Sequence, residues 1–581
     1  MTTTRRGLLQ FLGGSAVGAL FTPAPWRLIT DTALWSENWP GIPRPARGEA
    51  RYKFTNCSLC DAGCAVRARC IGDQPVSLAG VGGGLCPFGL TAHHLPFHPA
   101  RLKEGPVKEA AAAVTSAIAN RGPTEHVAVL DLRPGRTASW MYRQAMASIP
   151  NGTYLAPPEP LVAVDLQKAR TVLSLGAPLL DGWGTPSKVF AARDQFRLIQ
   201  AEAVESRTAA LADVWLPVAP GTEGALASAV TGEVDAADAA RITGLSAEQV
   251  ERLLNELKEN GPALVVDSEM SPAVVDANVR LGGWGHTIGP RPQAPTPDAW
   301  NKAAPVADLD KVPNGSIRVL LIDESAAGAY LPWAPIEKKL AANALVVAVA
   351  PYDGGYARHA QYVLPAAIYP ETMDDIPPAV DSMAATFRLA APLVAAPAGM
   401  ASVRELLGIS DGLRERADAI HKVGQGLLVT YADGKSVAVK DLKADDFWKA
   451  LNAGGAWTGD TKLPAERRRD EARRGREESL RHVDPEYPFT VVTERRVAGL
   501  CSPALSQIYQ ESNLRLAPNR IALHPSDASR CGVADGARAL IETASGKREV
   551  IVTVDSSIRS GVVLAPGRED VAFTSAKVVR I

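Results

Sequence analysis

The chain is expected to be a multi-domain α/β protein, with a small cysteine-bearing unit before the α/β body and a β-barrel-like module after it. Three observations predict this. Apolar strand-like runs alternate with helical stretches between residues 107 and 350, and such alternation favours a mostly parallel sheet covered by helices. Cys57, Cys60, Cys64 and Cys86 crowd one short stretch of a chain that has seven cysteines in 581 residues. Beyond residue 488, short strands separated by glycine turns suggest a barrel.

A length of 581 residues exceeds what one hydrophobic core supports, so several domains are expected. Basic and acidic residues number 62 and 63, which excludes the strong basic excess of a nucleic-acid binder. No internal run of about 20 apolar residues is present, so no internal membrane span is expected. The N-terminus differs. Arg5 and Arg6 directly precede the apolar stretch from Leu8 to Phe21, so residues 1–30 read as a twin-arginine export signal or anchor. The alternative is an unstructured or amphipathic leader. Export of a folded chain would place it on the periplasmic side of the inner membrane, attached through partners or an uncleaved N-terminus.

The cysteine unit, residues 50–105, carries the chemistry. Cys57, Cys60 and Cys64 form C-x2-C-x3-C, and Cys86 returns after the glycine run Gly80 to Gly84. Local thiolates joined by one distant cysteine are the pattern of a four-cysteine iron–sulfur cluster, so these residues are the candidate cofactor and metal ligands. Zinc is the main rival, although zinc sites tend to pair two close knuckles and Cys86 has no close cysteine partner. A disulfide framework is the third reading, permitted by export. Cys70 reads as a buried small hydrophobe on the strand Val66 to Cys70, though it could displace a ligand. Cys501 and Cys531 read as structural. C-x-x-C-H is absent, so the chain carries no c-type haem. His93, His94 and His98 cluster beyond Cys86 without a second ligand set.

The first α/β segment spans residues 106–260. It opens with a helix at Val107 to Asn120, a strand at Val127 to Leu132 and a helix at Thr137 to Ile149. Short strands follow at Val162 to Val164 and Val172 to Leu175. Asp194 to Glu205 reads as helical, and helices are expected from Glu223 and over Ser246 to Glu259. The second α/β segment, 261–460, has strands at Leu264 to Asp267, Val319 to Ile322 and Leu345 to Ala350, with a helix over Pro332 to Ala342. Residues 461–487 form a charged linker containing ERRRDEARRGREE, whose mixed signs fit a solvated segment. The final domain, 488–581, has strands at Phe489 to Val492, Arg520 to Leu523, Arg538 to Glu542 and Glu549 to Val554.

These features together resemble the molybdopterin oxidoreductase superfamily. The cysteine run matches its N-terminal [4Fe-4S] motif, and GLCPFG its closing element. ADVWLPVAPGTEGAL resembles the strand and loop that contact one dinucleotide arm; ARHAQYVLPAAIYPE resembles a segment of the second α/β domain. NRIALHPSDASRCGVADGARALIET resembles the final barrel. The resemblance covers most of the chain and implies a multi-domain molybdopterin oxidoreductase-like fold with an N-terminal iron–sulfur domain. It also implies that Asp213, Pro220, Gly221, Thr222 and Glu223 derive from a dinucleotide arm, although turns and buried strand residues would persist for the fold alone.

Two departures shape the functional expectation. The superfamily places a Cys, selenocysteine, Ser or Asp on a loop as metal ligand; here no cysteine lies between Cys86 and Cys501, and neither Ser187 nor Asp181, beside Gly182 and Gly184, has that context. The superfamily also carries Lys or Arg two residues after the last cluster cysteine, where this chain has Phe88, an apolar ring without a donor. No catalytic residue is therefore assigned. These gaps resemble the reduced molybdopterin-like subunits of periplasmic menaquinone reductase complexes and the fused module of alternative complex III. That resemblance implies a multihaem cytochrome c, a ferredoxin-like iron–sulfur subunit and an integral membrane quinone-binding subunit as partners. The expected role is an iron–sulfur electron-transfer or scaffold subunit without molybdopterin. The alternatives are a molybdenum or tungsten bis-pterin oxidoreductase acting on a small substrate, and a non-redox structural protein. Glu371 is expected to be a buried hydrogen-bond partner.

Overall fold

The computed structural model describes residues 48–82, 84–98, 101–180, 183–326, 331–352, 355–459, 486–493, 519–544, 546–566 and 575–581, with a few positions near the N-terminus. Arg5 and Arg6, Asp181 and Gly182, Cys501 and nearly all of the charged linker lie outside the described residues.

An antiparallel three-stranded sheet comes first: β1 (Ala50–Asn56), β2 (Ala65–Ile71) and β3 (Gln74–Gly80). Strict alternation in AVRARCI puts Val66, Ala68 and Cys70 inside and Arg67 and Arg69 outside. Cys70 is thus a core residue of β2, as its place in the alternation implies. Cys86 caps the short helix Pro87–Thr91, its sulfur accepting from the Gly89 amide at 3.4 Å.

Two parallel sheets form the α/β body. β4 (His126–Asp131) and β5 (Gly152–Leu155) precede the four-stranded sheet of β6 (Thr171–Leu175), β7 (Arg197–Ala201), β8 (Val214–Leu216) and β9 (Ala263–Asp267). β10 (Ile317–Asp323), β11 (Leu340–Ala350) and β12 (Tyr362–Pro365) follow it. The five-stranded sheet has the order β12-β11-β10-β4-β5 and the four-stranded sheet the order β9-β6-β7-β8. The expected division at 260/261 therefore does not separate two bodies. Strands from before and after residues 171–267 share one sheet, and the four-stranded sheet is inserted within it. The reason is physical: HVAVLD of β4 and IRVLLID of β10 are both buried almost throughout, and each supplies the neighbour the other needs.

Two local expectations are corrected. Asp194 to Glu205 is not a helix: a 3-10 turn at Arg193–Gln195 leads into β7, where Leu198, Ile199, Gln200 and Ala201 are all buried between parallel neighbours. Helix over Pro332 to Ala342 is confined to Trp333–Glu337, because β11 already begins at Leu340.

A smaller antiparallel sheet contains β13 (Thr386–Ala390) and packs against β1. Gly454 makes that approach close: its φ is +87°, and a Cβ there would stand 2.6 Å from the Phe54 carbonyl carbon. The C-terminal module is a closed six-stranded barrel built from Phe489–Thr493, Arg520–Leu523, Arg538–Thr543, Gly546–Val554, Val562–Ala565 and Ser575–Arg580. No helix among the described residues is long and apolar enough to cross a membrane.

Candidate functional site

The loop joining β1 to β2 carries Cys57, Cys60 and Cys64. Its ends are tied by the Cys57 amide, which donates to the Cys64 carbonyl at 2.8 Å, and Gly63 turns it with φ +55°. Cys57 and Cys60 are buried, Cys64 and Cys86 partly so, and none of the four is in a disulfide. All four pack in one core with Leu59, Phe88, Leu95, Ile368 and Tyr369. Phe88 sits inside this core rather than at its edge.

Electrostatics report the mutual approach of the thiols. Burial pushes the Cys57 thiol well above its ordinary range, and Cys60, Cys86 and Cys64 push it further. The Cys60 thiol is raised by burial, then by Cys86 and Cys64, with Arg133 opposing. Cys64 is pushed up to about 11 by burial and by Cys86, with Arg388 opposing. The raised thiols of Cys57, Cys60 and Cys64 thus converge with Cys86 where thiolates would repel one another strongly. A polynuclear cationic centre suits such a set, since it stabilises the thiolates and releases their protons. Among the described residues, no three His, Cys, Asp or Glu side chains are arranged around a single metal ion. An iron–sulfur cube is held differently, each thiolate binding its own corner iron.

Two arginines from outside the cysteine unit, Arg133 buried and Arg388 half-buried, clamp the cysteine loop. Arg133, just past β4, donates through Nη1 to the Ser58 carbonyl and through Nε to Asp61 at 3.4 Å. Arg388, on β13, donates through Nη1 to the carbonyls of Ala62 at 3.1 Å and Gly63 at 3.0 Å. Gly63 permits this approach, because a Cβ there would lie 2.9 Å from Arg388 Nη1.

A second constellation lies at the carboxyl ends of the five-stranded sheet. The chain leaves β4 toward β5 on one side, while β10 and its successors extend on the other. This topological switch point is where open α/β sheets bind ligands. Asp131 and Asp323 end β4 and β10 as register partners. Arg136 fills the space between them, reaching Asp323 at 2.9 Å, Asp131 at 3.2 Å and Asp374 at 2.6 Å. Burial alone would lower its pKa, but Asp374, Asp323 and Asp131 together raise it well above the ordinary value. Tyr142 donates to Asp323 at 2.8 Å, and Tyr154 to Asp131 at 2.8 Å. The helix Thr137–Ser148 starts here, and its first amide donates at 2.7 Å to Asp375, which also pairs with Arg416 at 2.9 Å. A helix N-terminus in this position commonly takes a phosphate; here it takes the chain's own carboxylate. At this crevice the first helix amide and the Arg136 guanidinium both have carboxylate acceptors from the chain itself.

The four-stranded sheet has its own switch point, between β6 and β9. Gly176 follows β6 with φ +69° and open space where a Cβ would stand. Asp213 accepts from Arg193 and from the Leu198 amide, each at 2.8 Å, and so ties β8 to β7. Thr222 closes a turn on the Ala219 carbonyl at 2.7 Å, and Gly221 has φ +76°. Ser187 lies in the helix Pro186–Ala192. Glu371 pairs with Arg101, both side chains buried, as a hydrogen-bond partner. His93 faces the Leu90 carbonyl at 3.1 Å and stacks near His94, and burial, followed by His94, lowers its pKa to about 4.

Sequence reasoning located the cysteines but missed Arg133, Arg388, Arg136 and the carboxylates around it. Only the polar ends of β4 and β10, Asp131 and Asp323 after apolar runs, could have signalled the second constellation.

The architecture of mixed α/β sheets and a C-terminal barrel is similar to that of a molybdopterin oxidoreductase. Residues 495–575 match the Molydopterin dinucleotide binding domain. The structure is similar to acetylene hydratase from Pelobacter acetylenicus, with a TM-score of 0.64 and 14% sequence identity over 88% of this chain and 92% of that one. Within the class, the chain is similar to the menaquinone reductase, molybdopterin-binding-like subunit of Nitratidesulfovibrio vulgaris strain Hildenborough, at 27% identity over 348 residues. That alignment covers 48% of this chain and 50% of the relative, so the likeness spans about half the length of the curated protein.

Proposed function

We propose that this chain is an iron–sulfur electron-transfer or scaffold subunit of a membrane-associated respiratory quinone oxidoreductase complex. The observation that carries the reading is the convergence of Cys57, Cys60, Cys64 and Cys86 in one buried, mutually repelling set. These four residues would hold a [4Fe-4S] cluster, which exchanges single electrons when bound. The buried core around the thiols would exclude water, and the arginine-clamped loop would fix their positions. The likeness to a menaquinone reductase subunit supports the setting. On this reading the partners are a multihaem cytochrome c, a ferredoxin-like subunit and an integral membrane quinone-binding subunit, and the chain works on the periplasmic face after twin-arginine export.

The proposal includes the absence of a molybdopterin dinucleotide from the five-stranded sheet's crevice. Its support is the Arg136 ion network and the Asp375 carboxylate on the helix N-terminus. The second reading, a molybdenum or tungsten bis-pterin oxidoreductase, is favoured by the match of residues 495–575 to a dinucleotide binding domain and by the open space at Gly176. The first reading is tested by anaerobic purification and spectroscopy of Cys60→Ser. Loss of iron and of the low-temperature EPR signal is expected; unchanged iron and signal would remove Cys60 from the ligand set.

A further inference from the structure

Three buried hydrogen-bond donors surround the cysteine loop with no acceptor among the described residues: Arg133 Nη2, Arg388 Nε and the Tyr369 hydroxyl. Their side chains are not idle. Arg133 spends Nη1 on the Ser58 carbonyl and Nε on the Asp61 carboxylate, and Arg388 spends Nη1 on the carbonyls of Ala62 and Gly63. Those bonds hold the guanidinium groups against the cysteine loop and leave Arg133 Nη2 and Arg388 Nε without an acceptor among the described residues. Tyr369 packs in the same apolar core as the four cysteines and is 4% exposed. Leaving a buried donor unmade costs about 1–3 kcal/mol. Three such donors around one spot therefore point to an acceptor that belongs there. A cluster bearing four thiolates is anionic, and its sulfurs accept hydrogen bonds that set its potential.

We propose that Arg133, Arg388 and Tyr369 form a donor shell around a cluster at Cys57, Cys60, Cys64 and Cys86, supplying cations from outside the cysteine segment, where Phe88 supplies none. This rests on the iron–sulfur reading above. The geometry agrees with it: Arg133 and Arg388 bond the loop backbone on either side of Cys60, and Tyr369 packs in the core of the four cysteines. The three act as positioning and tuning residues. Two positive charges and a hydroxyl donor beside the reduced, more anionic cluster stabilise it over the oxidised form and raise the midpoint potential.

The test is EPR-monitored redox titration of the full chain in its complex, with iron analysis, for wild type, Tyr369→Phe, Arg388→Gln and Arg388→Lys. Tyr369→Phe removes one oxygen and keeps the ring in the core, so it tests the donor without testing the fold. Expected are wild-type iron content and a negative shift in midpoint for Tyr369→Phe, a larger negative shift for Arg388→Gln, and a partial return for Arg388→Lys. Full iron with unchanged midpoints in both Tyr369→Phe and Arg388→Gln would overturn the donor shell while leaving the cluster reading intact. Wild-type protein without iron would overturn the cluster reading itself.

Discussion

Replacing Arg136 with methionine would remove the cation from the most crowded ionic site in the α/β body. The side chain keeps much of its length, so the change is chiefly one of charge and hydrogen bonding. Arg136 stands 2.6 Å from Asp374, 2.9 Å from Asp323 and 3.2 Å from Asp131, and all four side chains are almost fully buried. Removing one partner of a single buried pair typically costs 3–5 kcal/mol, because the remaining charge is uncompensated. Three carboxylates are stranded here, so a loss near the top of that range, about 4–5 kcal/mol, is expected near neutral pH. The pH dependence gives a second handle. Burial would raise the Asp323 carboxyl, but Arg136 and hydrogen bonds from Ser325 and Tyr142 hold it below its ordinary value. Its contribution is therefore fully present above the unfolded value of about 3.9 and fades as pH falls through the lowered folded value. Without Arg136, burial counts for more at Asp323, its carboxyl rises, and protonation relieves the variant as pH falls. The stability gap between wild type and Arg136→Met should narrow on acidification by about two pH units from neutrality. Urea unfolding at several pH values, followed by tryptophan fluorescence, measures it. A loss below about 1 kcal/mol, the scale of an exposed pair, or a gap that widens on acidification would refute the argument.

Cys70→Ser should leave the iron content unchanged while lowering stability by about 1–3 kcal/mol, since it puts a hydroxyl into the interior of β2; iron loss comparable to that of Cys60→Ser would make Cys70 a ligand. Gly454→Ala should cost more than about 1 kcal/mol and loosen the contact with β1, because φ is +87° and the new methyl meets Phe54 backbone at 2.6 Å; an unchanged thermal midpoint would contradict this. The metal-free protein should lose stability as pH rises through the ordinary thiol range of about 8.5, since the folded state keeps protons that the unfolded chain releases. This follows from the buried thiols, including Cys64 at about 11. The iron-loaded protein should lack that decline, and thermal scans of both forms across this range compare them.

What the sequence showed and what it hid follow from how local each signal is. The strands at Val127 to Leu132 and Val319 to Ile322 are apolar runs bounded by turns, so their existence was legible; that they pair with each other was not, since a chain segment of roughly 190 residues separates them and parallel pairing leaves no local trace. The run Arg197–Ala201 was misread because a buried parallel strand has no alternation to distinguish it from a helix flank. The cysteines were legible because three lie on one loop. The arginine on their loop and the ion network at the sheet crevice were not: Arg388 meets Gly63 across 325 residues, and Arg136 meets Asp374 across 238. Phe88 was legible as an apolar ring beside Cys86, while the contacts of Arg133 and Arg388 with the cysteine loop needed the fold.

The most direct test of the central claim is metal and pterin analysis of the protein purified anaerobically in its native complex. The account predicts about four irons per chain at the Cys57, Cys60, Cys64 and Cys86 site, with neither molybdenum nor tungsten and no released pterin. Stoichiometric molybdenum or tungsten accompanied by a pterin would contradict it and establish the bis-pterin reading in its place.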